Sequence, residues 1–126
     1  MYIAATLILL FLAVTFIQSG YDKITDWNGN VTWLKSHFEK TFLKDTVPAA
    51  VATILILEVV SGILCVVGSI QVLMDSGRNF AFYGAVLSCV TFIFLLLGQR
   101  VAKDYDGART IAIYFIPAVM AVNWLS

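Results

Sequence analysis

Four apolar stretches of near-spanning length, joined by short polar connections, predict an all-α fold: a polytopic membrane four-helix bundle with an amphipathic interfacial helix between spans 1 and 2. Composition agrees, with 60% hydrophobic residues, 13% charged and a mean hydropathy of +0.90. Charge placement agrees too. Seven of the eight basic residues fall in two of the connections, and Glu58 is the one charge inside an apolar run. The 126 residues read as a single membrane domain, 1–126, with spans over 2–20, 47–72, 79–98 and 109–125. Eight basic residues balance eight acidic ones, so nothing in the charge directs the chain to nucleic acid.

The first span, 2–20, is apolar over Ile3–Ile17 apart from Thr6 and Thr15, runs on through Gln18 and Ser19, and lacks the basic flank and small-residue cleavage site of a signal peptide, so it reads as a retained helix. In the polar connection, Ile24, Trp27, Val31, Leu34, Phe38 and Phe42 recur at spacings of three and four. That draws an apolar stripe down a helix over 31–43, with Asn28-Gly29-Asn30 as a break and Asn30 as N-cap. Aromatic anchors opposite lysines suit a helix in the headgroup layer; a helix folded over the bundle mouth would show the same pattern. Asn30-Val31-Thr32 matches a glycosylation sequon, a common triplet given no role here.

The second span, VPAAVATILILEVVSGILCVVGSI over 47–70, reads as the packing centre. Pro48 suits its first turn, and Ala49, Ala50, Ser61, Gly62, Gly68 and Ser69 let neighbouring helices approach closely. At about 1.5 Å per residue, Glu58 falls about 15 Å in from Pro48, near the midplane. Asp75-Ser76-Gly77 is a tight turn into the third span, where Gly84 and Ser88 form a close-contact face. The fourth span carries Pro117 as a potential kink and ends on the interfacial Asn123-Trp124. Cys65 and Cys89, in separate spans, read as small buried hydrophobes.

Basic residues set the orientation. Lys23, Lys35, Lys40, Lys44, Arg100, Lys103 and Arg109 lie on connections one and three, against Arg78 alone on the other side. Connections one and three are therefore expected in the cytoplasm and both termini outside.

A first span ending in Gly20-Tyr21-Asp22-Lys23, an aromatic amphipathic stretch, a Pro-initiated second span with Glu58 four residues before Gly62 and a closing Gly68, and the segment GQRVAKDYDGA together resemble the DoxX family of four-helix membrane proteins. That family takes its name from a subunit of an archaeal thiosulfate:quinone oxidoreductase. The resemblance implies a compact bundle serving a quinone-linked or redox membrane assembly, and it suits a bacterial inner membrane.

The residues themselves offer little chemistry. One histidine, His37 on the polar face of the amphipathic stretch, and two isolated cysteines supply neither haem ligands, a metal set nor a nucleophilic triad, so no metal or cofactor is expected beyond contact with quinone or lipid. Glu58 remains. In hydrocarbon a carboxyl group favours its neutral form, which can donate a hydrogen bond. It could be interhelical glue, a proton site, or a contact to a quinone headgroup or lipid. Gln18, Ser19, Tyr83, Ser88, Thr91 and Tyr114 are its candidate partners, with Glu58, Gln18 and Tyr83 as the expected polar focus. Lys23, Trp27, Trp33, Lys35, Arg100, Lys103 and Arg109 are expected to dock a partner protein or lipid, or simply to snorkel and set topology.

Two functions follow. The chain is an accessory subunit of a larger membrane complex, respiratory or quinone-linked, partnered by other membrane subunits and lipid; or it is a small proton-coupled transporter acting as a homodimer through Glu58. Catalysis by the chain alone is not expected.

Overall fold

The computed structural model describes residues 3–38, 47–101 and 104–125. These form five helices: α1 (Ile3–Thr25), α2 (Trp27–Phe38), α3 (Val47–Leu73), α4 (Asn79–Val101) and α5 (Tyr105–Leu125). Four of them, α1, α3, α4 and α5, are long and apolar enough to cross a membrane, and α2 is the short helix expected between the first two. The spanning helices run beyond the apolar runs that announce them. Backbone bonding carries α1 past Gly20 to Thr25, and α5 begins at Tyr105 rather than near Arg109, because hydropathy marks the lipid-facing part of a helix and not its hydrogen-bonded ends.

The spans close into a ring in the order α1, α3, α4, α5, with α5 returning to α1. The second span, read as the packing centre, lies between α1 and α4 in that ring and also touches α2. The centre belongs to large apolar side chains from the diagonal pair: Phe16 of α1 meets Phe92 of α4 with centroids 4.9 Å apart, above buried Leu9 and Leu12. Tyr114 of α5 joins this aromatic group, edge-on to Phe11 at 5.6 Å and 6.2 Å from Phe92.

Small residues do set the closest approach. A Cβ on Gly68 would overlap the backbone of Ala81, and one on Gly84 would come within 3.0 Å of the backbone of Leu64 and Cys65. Further along the same interface Cys65 Sγ lies 3.6 Å from Ser88 Oγ, and the Ser61 and Thr91 hydroxyls lie 3.2 Å apart. The turn from α3 to α4 is held by Gln71. Its Nε2 donates to Ser76 O (3.2 Å) and its Oε1 accepts from Phe80 N (3.1 Å), while Asp75 and Gly77 take positive φ. Arg78 Nε donates to Leu125 O at 2.9 Å, tying the end of α5 to this turn.

Asn30 does not begin the helix of the first connection. That helix starts at Trp27, and Asn30 lies inside it with Nδ2 donating to Asp26 O at 2.8 Å. Asp26 takes the capping place instead, its carboxylate lying against Gly29, where a Cβ would sit 2.6 Å from Oδ1. An acidic cap preceding the first turn wins over an amide placed after it. Asp104 repeats the arrangement: its Oδ1 accepts from Gly107 N (3.2 Å) at the start of α5. Val31 of α2 is buried and Leu34 half-buried, while Thr32, Trp33 and Lys35 are exposed, so the stripe of Trp27, Val31 and Leu34 turns inward. Residues 39–43 of the expected interfacial helix, with Lys40 and Phe42, lie outside the described residues, as does Lys44.

Candidate functional site: a buried ion pair beside a cavity

Glu58 is 2% exposed, and what meets it is Lys23. Lys23 lies in the last turn of α1, and helical side chains lean toward the N-terminus of their own helix, here into the bundle. Its Nζ reaches 2.8 Å from Glu58 Oε1 and also donates to Ser19 Oγ, one turn back, at 2.8 Å. The approach to Oε1 lies outside hydrogen-bonding angles, and no other donor is aligned on that oxygen among the described residues. The bond is therefore a charge contact.

Lys23 accordingly moves from the docking set to the polar focus, a correction to its reading as an outward-facing charge. Snorkelling carries a lysine toward water unless a buried acid lies within reach of its stem, as here. Gln18 and Tyr83 are exposed, Tyr83 by 61%, and are corrected out of the focus. Ser88 and Thr91 donate to the carbonyls of Gly84 (2.7 Å) and Leu87 (2.8 Å) on their own helix, and Tyr114 packs among rings. Of the candidate partners, Ser19 joins the site, through Lys23.

Helix register fixes the level of Glu58 along the bundle. Gly20 packs against Leu55 and Val59, and Gly62 against Ile17. Glu58 is therefore level with the polar end of α1, about 22 Å from Leu73 at 1.5 Å per residue. The N-terminal turns of α3 stand beside α2.

Lys23 opens on its other side into a cavity of about 270 Å³ where α1, α2, α3 and α4 meet the start of α5. Its polar lining is Lys23, Asn30, Gln99 and Asp104; Trp33, Leu34, Ile54 and Phe94 form much of its apolar wall. Gln99 Oε1 is buried with no donor among the described residues. The two connections expected on one side of the membrane thus gather at one mouth of the bundle. Other docking candidates lie around it. Trp27 is half-buried and Lys35 exposed; Arg100 stacks over Tyr105 with its guanidinium carbon 5.9 Å from the ring centroid; Arg109 pairs with Asp106 at 2.7 Å on the surface; Lys103 lies outside the described residues. Sequence reasoning missed Gln99 and Asp104 as cavity residues. The signal available was the repeated Asp-aromatic-x-Gly of Asp26–Gly29 and Asp104–Gly107, which marks two helix starts on the same side. Among the described residues, no group of three or more His, Cys, Asp or Glu comes together in a way that could hold a metal ion.

A four-helix membrane bundle with a buried ion pair, Lys23 with Glu58, is the class this fold and site define. The DoxX family model matches residues 4–96, and the chain belongs to the DoxX family. The match ends before the GQRVAKDYDGA segment, so Gln99, Asp104 and α5 lie beyond it. Comparison with curated proteins and with solved structures gave no match.

Proposed function

We propose that this DoxX-family membrane protein is a non-catalytic accessory subunit of a larger membrane complex, respiratory or quinone-linked, in a bacterial inner membrane. The observation that carries the reading is the closed Lys23–Glu58 pair. The acid is neutralised by a lysine of a neighbouring helix, which suits interhelical glue in a rigid scaffold. The outward faces of the spans, with residues such as Leu7, Ile63, Ile93 and Ile116 exposed, are apolar and free to meet lipid or neighbouring subunits. The quinone link comes from the family resemblance.

Gentle extraction of the native membrane, followed by identification of what co-migrates in fixed proportion, tests the proposal. Stoichiometric membrane subunits are the expected result. A homodimer that releases protons on binding a ligand, and loses that release in Glu58→Gln, would replace this reading with proton-coupled transport.

A further inference from the structure

The cavity beside Lys23 holds polar groups whose capacity the fold does not use. Gln99 Oε1 is buried and accepts nothing from the described residues, a state the amide leaves as soon as a donor reaches it. Its Nε2 is turned the other way, over Gly107, where a Cβ would come within 2.7 Å. Lys23 has three N–H groups, of which one donates to Ser19, while Glu58 lies in charge contact with the ammonium. Charge narrows the class of ligand. Glu58 balances Lys23, and Asp104 adds a carboxylate to the rim, so among the described residues the lining has no surplus positive charge for an anionic headgroup. The walls formed by Trp33, Leu34, Ile54 and Phe94 are apolar, and about 270 Å³ accommodates a headgroup or a single ring but not a whole lipid.

We propose that this cavity seats the hydroxyl-bearing head of a neutral amphiphile, its O–H donating to Gln99 Oε1, an oxygen of the same head accepting from the Lys23 ammonium, and its tail leaving along the apolar wall. A phenolic molecule and a glycerolipid share this chemistry. The site stands independently of the subunit reading, since a chain without partners would bind equally well.

The test uses the full chain in nanodiscs of phosphatidylethanolamine and phosphatidylglycerol, with binding read from 19F line broadening of ring-fluorinated para-octylphenol and of its methyl ether, which lacks the donor. The phenol is expected to bind at least about tenfold more tightly than the ether, the factor for one hydrogen bond to a buried acceptor. Gln99→Leu is expected to bring the phenol down to the level of the ether while circular dichroism stays unchanged. Displacement of the phenol by monooctanoylglycerol assigns the site to glycerolipids; failure to displace it assigns the site to aromatic alcohols. Equal affinity of phenol and ether for the unmodified protein overturns the proposal without any variant, as does a folded Gln99→Leu chain that still tells them apart.

Discussion

At Glu58 a single carboxylate, 2% exposed, is matched by a single ammonium. Breaking such a pair from one side leaves the other charge buried, at a cost of about 3–5 kcal/mol, whereas replacing both partners with apolar groups of similar size is often neutral or better. Lys23→Met is therefore expected to lower stability strongly, with Lys23→Met/Glu58→Leu recovering most of the loss. Because Lys23 is 17% exposed, the single-variant cost should fall toward the lower end of that range. Thermal melts of the four chains in one detergent read the coupling, and additive effects of the two substitutions would show that the pair does not act as a unit. The acid was legible in the sequence because it interrupts an apolar run. Its partner was not, because a lysine just past the apolar run reads as interfacial until the register of α1 against α3 is known.

The helices are tied by close approach more than by polar bonds. Most buried hydroxyls bond back to their own helix, as Ser69 does to Cys65 O at 2.7 Å and Ser88 to Gly84 O. They satisfy themselves and keep the contact face narrow. Gly68→Ala would drive a methyl into the Ala81 backbone, which cannot rotate away, and is expected to cost about 1–3 kcal/mol by overpacking. Gly20→Ala meets a Val59 methyl at 3.2 Å, a side chain able to give way, and is expected to cost distinctly less. Unfolding of both variants in sodium dodecyl sulfate orders them, and a reversed order would contradict the α3–α4 contact. Gly68 and Gly84 stood out in the sequence as small residues among large ones. Which element each touches was not readable there, since a periodic stripe gives a face but not its neighbour. The same ambiguity displaced the α2 start: Asn28-Gly29-Asn30 has the composition of a turn, yet with Asp26 ahead of it Gly29 serves as room for a cap.

At the scale of the molecule, four spans were legible from apolar length alone, while the ring order and the cavity were not. Both depend on contacts between segments far apart in the chain, Lys23 with Glu58 and the cavity wall that Asn30 shares with Gln99. The described parts of connections one and three meet at the cavity at one mouth, and Arg78 holds the end of α5 at the other. Single cysteines at Lys35 and at Ser76, in a Cys65→Ser/Cys89→Ser background, give the expected orientation a direct reading. An impermeant maleimide applied to intact cells should label position 76 and leave position 35 unlabelled until the membrane is opened. The reverse pattern would invert the topology and place the cavity mouth outside.

The Lys23–Glu58 contact also bears on biogenesis. A first helix released into lipid before the third segment is synthesised would carry its ammonium with no acid to meet, and the later helix would arrive with the opposite debt. Each favours waiting at the translocation channel for the other, so the two are best delivered to the bilayer as an assembled hairpin, and a linker mutation that delays their meeting would leave the nascent chain exposed to quality-control proteases.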